Sequence, residues 1–303
     1  MTTETAQSMN LGHSKRPPKH VTRFYGNVDY ALDVIANRQI TLTHVSTLND
    51  PFDPYFFLET DFGENRGQLL KHIEKHHPKD LGWFKKHVTA QSWQQAIKDL
   101  KVKMDSWRDG FFIFSTSGES DSVHPKDNLY MWGHYGNGHR GVAIEFDSQA
   151  LTASVLKHHE SIPGAALEAD EFWTKIEYQK TFPPITAEDY YEFMKPKQTP
   201  YSQKSQANTK LEEYYNLMGR VKSEVWQREN EWRLMWHNTE TRMRIYRCPI
   251  NSLSITSIFL GLNQQGTSQR DFITEAKQNF PNAKILRTKR RPGDFALDFE
   301  LVA

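Results

Sequence analysis

The chain has 303 residues, 25% of them charged, with 38 Lys and Arg against 37 Asp and Glu and a formal net charge of +1. That length can bury one large core or two small ones, and the charge balance excludes a whole-protein basic field that would draw the chain onto nucleic acid. The single cysteine, Cys248, excludes an internal disulfide framework and a multi-cysteine zinc site, and no run approaches the ~20 apolar residues of a membrane span.

Residues 1–19 are polar, lack an apolar signal-peptide core, and read as a disordered leader. With the lone cysteine, this predicts a cytoplasmic protein without a membrane partner. Ordered structure is expected from His20 to the end as one domain, 20–303. Asp29 is expected to cap a helix with Leu32, Ile35 and Ala36 on one face. The alternating run Ile40–Val45 predicts a strand, and Asn49-Asp50-Pro51 a sharp turn.

Residues 68–77 and 91–107 read as helices, the second carrying an apolar stripe of Trp93, Ile97, Leu100, Met104 and Trp107. Phe111–Phe114 predicts a buried strand delivering Ser115-Thr116-Ser117 at its end. Asp127 is expected to cap a short helix through Met131 to Tyr135, broken by Gly136, Gly138 and Gly141. Val142, Ile144 and Phe146 then alternate as a strand.

A variable helical insert is expected at about 150–225. It holds a turn at Pro183-Pro184, an aromatic helix around Tyr190 and a longer helix from Leu211 through Tyr215 and Met218 to Lys222. Beyond it, Trp232, Leu234 and Trp236 share a strand face. Ile245, Ile255–Leu260 and Phe295–Leu301 predict further strands, with a helix near 268–279 between them. The basic run Arg287, Lys289, Arg290, Arg291 reads as a solvated surface turn. Strands mixed with helices, without regular βαβ alternation, predict an α+β domain with a mostly antiparallel or mixed β core flanked by helices.

Four segments are candidates to carry chemistry. In Glu229-Asn230-Glu231-Trp232-Arg233, period-two alternation puts Glu229, Glu231 and Arg233 on one face and Trp232 on the other. Charges there must pair or meet a ligand, and two adjacent carboxylates can separate their pKa values for acid–base work. In Met131–Gly141, Trp132, His134 and Tyr135 crowd beside Gly136, Gly138 and Gly141, which predicts a site lining. His134 and His139 are five apart, not the four that would face two ligands from one helix, so no metal is predicted there. Ser115-Thr116-Ser117 lacks the partners of a serine hydrolase. Asp50 and Asp53 could hold a divalent cation, though a rigid turn is the plainer role.

Taken in order, these segments resemble a bacterial family known as a domain of unknown function, DUF2971. The matching features are Arg23-Phe24-Tyr25, Asn49-Asp50-Pro51-Phe52-Asp53, Phe114-Ser115, Met131-Trp132-x-His134-Tyr135 with His139-x-Gly141, and Ile144-Glu145-Phe146-Asp147. They continue with Lys222, Trp226, Glu229, Glu231, Arg233 and Phe259-Leu260-Gly261, over roughly residues 20–262. The order Arg23, Ser115-Thr116-Ser117, Glu229-x-Glu231 also resembles the arginine–serine–glutamate class of ADP-ribosyltransferases.

That second resemblance implies an ADP-ribosyltransferase-like fold, and NAD as a substrate cleaved at its nicotinamide–ribose bond, with an unknown acceptor (protein, nucleic acid, small molecule or water). It implies that Glu231 stabilises the oxocarbenium-like state, Glu229 orients or deprotonates the acceptor, and Ser115 supports Glu231. Arg23 would grip a phosphate, and Trp132 and Tyr135 would stack on nicotinamide or adenine. His134, Ser117 and Arg233 complete the expected cofactor-binding set. Two other readings stand beside this one: a metal-dependent nuclease or phosphoesterase using Asp50, Asp53, Glu229, Glu231 and a histidine, and a non-catalytic sensor or interaction module.

Overall fold

Strand pairing begins at His20. The computed structural model describes residues 16–50, 52–53, 61–119, 123–160, 172–182, 186–195, 219–237, 244–264 and 267–302. β1 (His20–Tyr25) leads into α1 (Val28–Asn37) and β2 (Gln39–His44). Then come α2 (Phe62–His76), α3 (Leu81–His87), α4 (Ala90–Arg108), β3 (Phe111–Gly118), α5 (Leu129–His134), β4 (Val142–Asp147) and α6 (Ser148–Glu160). They are followed by β5 (Trp173–Lys175), β6 (Glu177–Gln179), α7 (Ala187–Met194), β7 (Val221–Ser223) and β8 (Glu231–His237). The chain closes with β9 (Ile245–Pro249), β10 (Ile255–Leu260), α8 (Thr267–Asn279), β11 (Lys284–Arg290) and β12 (Leu297–Leu301).

Ten strands form one mixed sheet in the order β12-β11-β10-β4-β1-β3-β2-β9, with β8 against β3 and β5 against β8. The β10–β11 pair is parallel and the other pairs of this sheet are antiparallel. This is the α+β architecture expected from the sequence. One sheet face packs the main core: Val21 and Tyr25 of β1, Phe114 of β3 and Ile144 of β4 meet α1, α6 and α8. On the other face, α5 lays Met131 and Trp132 over Phe24, Ala143 and Phe259. α2, α3, α4 and α7 build a separate apolar cluster around Leu69, Phe84, Trp93 and Tyr190.

Local chemistry explains where the elements begin, and it moves several expected boundaries. α1 is capped by Asn27, whose Oδ1 accepts from the Asp29 N–H at 2.9 Å. Asp29 therefore lies in the first turn rather than at the cap, and the buried face is Ala31, Val34 and Ile35, with Ala36 exposed. α5 is capped by Asn128, whose Oδ1 accepts from Tyr130 and Met131, because Asp127 closes a preceding 3-10 turn. α2 starts at Phe62, where Asp61 accepts from the Glu64 N–H. α4 buries Trp93, Ile97, Leu100 and Met104 of the predicted stripe, and the side chain of Trp107 lies outside the described part.

Ser115-Thr116-Ser117 lies inside β3 rather than at its end. Arg287, Lys289 and Arg290 of the basic run are strand, not turn, with Arg291 just past its end: Lys289 pairs with Glu300 and Arg291 with Asp298 across to β12. Lys222 stands in β7, not in a helix, and Phe295 precedes β12 fully exposed. Pro183-Pro184 and the expected helix from Leu211 to Met218 fall outside the described residues.

The predicted face of β8 is present: Trp232, Leu234 and Trp236 are buried in the main core. Gly118 of β3 leaves room for Trp232, since a Cβ there would strike the indole. Trp232→Ala is expected to destabilise the fold by about 3–5 kcal/mol, read as a shift in the urea midpoint. An unchanged melting temperature would show that this face is not core.

Candidate functional site

One edge of β3 is shared by two strands. β1 pairs with its end, Val21 opposite Gly118 and Thr22 opposite Ser117. β2 pairs with its start, Thr43 opposite Ile113 and His44 opposite Phe112. Phe114 to Thr116 lie between, and at this parting opens a cavity of about 390 Å³, walled by Thr22, Phe24, Ser115, Tyr135, Glu229 and Glu231 among others. Its volume lies in the lower part of the range of small-molecule sites.

Arg23 belongs by alternation to the opposite, core-facing side. Its guanidinium lies over the Phe114 ring at 4.5 Å, and its Nη1 donates to the Ser115 carbonyl at 3.0 Å, where it borders the cavity.

β8 runs along the other edge of β3 and sets Glu231 opposite Ser117 and Arg233 opposite Ser115. Arg233 is completely buried. Its Nε donates to Glu231 Oε1 at 2.8 Å, its Nη1 to Asp53 Oδ1 at 2.8 Å, and its Nη2 to the second oxygen of each carboxylate. Lys222 enters from β7 and donates to Glu231 Oε2 at 3.1 Å and Glu229 Oε2 at 2.7 Å, with Asp53 at 3.8 Å. Ser115 lies on the same sheet face, beside the Glu231 carboxylate, and the Glu231 N–H donates to the Tyr178 hydroxyl at 2.8 Å. Three carboxylates and two cations thus share one buried network.

Glu229 does not lie in the strand. It ends a 3-10 turn (Glu224–Glu229), and Asn230 follows in the left-handed region with φ 44° before β8 starts. Period-two alternation therefore does not place Glu229 beside Glu231; this turn does, held by the Ser117 hydroxyl donating to the Glu229 carbonyl. Tyr135 donates its hydroxyl to Glu229 Oε1 at 2.6 Å and accepts from Asn49 at 3.4 Å.

The two glutamates are driven apart in acidity. Burial by itself would raise Glu231, but the charges of Arg233 and Lys222, with hydrogen bonds from Arg233 and Ser115, bring it down to about 2. At Glu229 burial dominates and the charge of Glu231 adds to it, so its pKa is raised despite Lys222. Burial opposes the charge on Lys222, and the two glutamates outweigh it, raising its pKa. Burial and the bond to Glu229 raise Tyr135 and keep it a donor. A carboxylate held ionised beside a carboxyl that protonates readily is an arrangement suited to charge stabilisation by one and proton transfer by the other.

Of the expected site residues, Arg23, Ser115, Ser117, Tyr135, Glu229 and Glu231 meet at this cavity. Trp132 cannot stack on a ligand: its ring is fully buried, edge-on to Phe24 and stacked on His139, with Nε1 donating to the Lys126 carbonyl. His134 is exposed and faces Tyr130, away from the cavity lining. Tyr135 contributes a hydroxyl bonded to Glu229. Ser117 anchors the Glu229 turn, and Arg233 is bound to Asp53 and Glu231, so neither is directed to a cofactor.

Lys222, Asp53, Asn49 and Tyr178 were not assigned these partners from the sequence. The available signal was the demand of buried charges on β8 for counter-ions. Asp50 makes the expected turn, its Oδ1 accepting from the Phe52 N–H at 2.9 Å. Asp53 is neutralised by Arg233, and among the described residues no three His, Cys, Asp or Glu side chains converge as metal ligands. Nor, among these residues, is any helix long and apolar enough to cross a membrane.

Residues 131–234, from α5 to the middle of β8, match the family described as "Protein of unknown function (DUF2971)". The resemblance to that family therefore holds over the part of the chain that carries Tyr135, Lys222, Glu229 and Glu231. Arg23, Asp53 and Ser115 lie before the matched stretch. No curated protein and no solved structure matches the chain.

Proposed function

We propose that this protein is an ADP-ribosyltransferase-like enzyme or NAD glycohydrolase that cleaves the nicotinamide–ribose bond of NAD. The observation that carries the reading is the placement of Ser115 and Glu231 on one face of paired β3 and β8, at the cavity that Arg23 borders from β1. Arginine, serine and glutamate thus reach one cavity from three adjacent strands, in the order that the resemblance requires.

In this reading Glu231, held as an anion, stabilises the positive charge that develops on the ribose as nicotinamide leaves. Ser115 fixes the orientation of that carboxylate. Glu229 takes the proton of the acceptor hydroxyl, amine or water as the new bond to ribose C1′ forms, with Tyr135 and Lys222 holding it in place. Arg23 supplies a donor fork at the cavity rim for a phosphate oxygen. The acceptor is open, and a cytoplasmic location, where NAD is abundant, belongs to the same proposal.

The test is nicotinamide release from NAD by purified protein, with and without cell lysate as acceptor, beside Glu231→Gln. Release that vanishes in the variant supports the reading. Absence of both release and calorimetric NAD binding would overturn it. One observation favours a second reading, a ligand-binding module without turnover: both Glu231 oxygens are already engaged by Arg233 and Lys222. NAD binding with no release, unaffected by acceptors, would select that alternative.

A further inference from the structure

The face of the sheet that carries Glu231 continues as a polar row. Glu231 stands opposite Ser117, Ser117 opposite Thr22, Thr22 opposite Glu145 of β4, and Glu145 opposite Ser257 of β10. Side chains directly opposite in paired strands share a face. Three interstrand steps separate Glu231 from Glu145, about 14 Å.

At the far end, next to Thr22 and beyond the cavity lining itself, Glu145 is buried among polar side chains. Its Oε1 accepts from Thr256 at 2.7 Å and Ser257 at 3.0 Å, and lies 3.9 Å from His20 Nδ1. Its Oε2 faces His124 Nε2 at 3.5 Å. His124 Nδ1 accepts from the Lys126 N–H at 3.3 Å, and burial and Lys126 lower its pKa, so the neutral ring carries its proton on Nε2 and presents a donor. Two buried atoms beside this carboxylate lack a hydrogen-bond partner: the Thr22 hydroxyl, on a residue only 1% exposed that also walls the cavity, and His20 Nδ1. Buried polar atoms without partners are uncommon and point to a missing water, ion or ligand.

We infer that Glu145, Thr22 and His124 form a second subsite, which takes a pair of sugar hydroxyls: the second ribose of a dinucleotide whose first ribose lies at Glu231. A hydroxyl both donates and accepts. The carboxylate supplies the acceptor, His124 the donor, and Thr22 either role. This subsite rests on the NAD reading for the identity of the dinucleotide, but its recognition of a ribose does not require turnover.

The experiment is calorimetric binding of ADP-ribose and of nicotinamide mononucleotide, which lacks the second ribose, to wild type, Glu145→Gln and Thr22→Val. ADP-ribose should bind about tenfold or more weakly to Glu145→Gln, the loss of one charge-assisted hydrogen bond. It should bind several-fold more weakly to Thr22→Val, while the mononucleotide is unaffected by either change. Thr22→Val removes an unpartnered hydroxyl and retains shape, so its melting temperature should not fall, which separates binding from folding. Equal ADP-ribose affinity in all three proteins, or none in wild type, overturns the subsite and leaves a solvent-filled polar pocket. Nicotinamide release that persists alongside such a result would keep the transferase reading, so the two ideas fail separately.

Discussion

Glu231→Gln is expected to lower nicotinamide release by a factor on the order of 10² to 10³, the usual effect of deleting one preorganised charge at a transition state. It should also lower stability, although the change is isosteric. Glu231 answers Arg233 and Lys222 in a buried network, so neutralising it leaves cationic charge uncompensated. A depression of its pKa from 4.5 to about 2, at about 1.4 kcal/mol per tenfold, corresponds to about 3 kcal/mol.

The sign follows from the depression. This contribution is complete above the unfolded-state value near 4.5 and is lost as pH falls through about 2. Glu229, raised in the fold, acts in reverse: its contribution is present below the ordinary carboxylate value and is lost as pH rises through its own. Melting temperatures of wild type should therefore fall steeply between pH 4.5 and 2, and those of Glu231→Gln should fall less. Activity is compared well below both melting temperatures, where each protein is folded. A variant as active as wild type would remove Glu231 from catalysis, and a variant equally stable at neutral pH would remove it from the network.

How much of this was legible in the sequence depended on whether one element or several decided the outcome. The alternation of Trp232, Leu234 and Trp236 against Glu231 and Arg233 is a property of one strand, and both faces of β8 are as read. So is the stripe of α4. Glu229 was misplaced because Asn230 adopts a left-handed conformation, which ends the alternation without any glycine to announce it. The aromatic crowding at Trp132 suggested a ligand, but the residue instead covers Phe24 on the sheet face that the short α5 packs against.

Lys222 and Asp53 lay beyond any local pattern. Asp53 meets Arg233 across 180 positions of chain, and Lys222 meets Glu229 and Glu231 from a three-residue strand. Cap residues were missed by one or two positions, Asn27 for Asp29 and Asn128 for Asp127, because Asp29 also suits the first helical turn and Asp127 the end of a 3-10 turn. The parting of β1 and β2 along β3, which makes the cavity, is a consequence of strand pairing that spacing alone does not encode.

Arg233→Met should have the largest effect on stability of any single change in the site. The guanidinium is fully buried and engages both oxygens of Asp53 and of Glu231. Methionine fills similar space without charge, so little of the loss comes from a cavity. What remains is a pair of buried carboxylates with Lys222 as their nearby cation, a loss of about 3–5 kcal/mol or more. Against a typical total of about 5–15 kcal/mol, that can unfold the domain at 37 °C. Asp53→Asn and Glu231→Gln added to Arg233→Met remove the stranded charges, so the triple variant should be more stable than the single one, with a large coupling energy in urea denaturation. If Arg233→Met shifted the midpoint by less than the equivalent of about 1 kcal/mol, the range of an exposed pair, the network would be solvent-screened. Glu231 would then be free of its structural duty and available to a ligand.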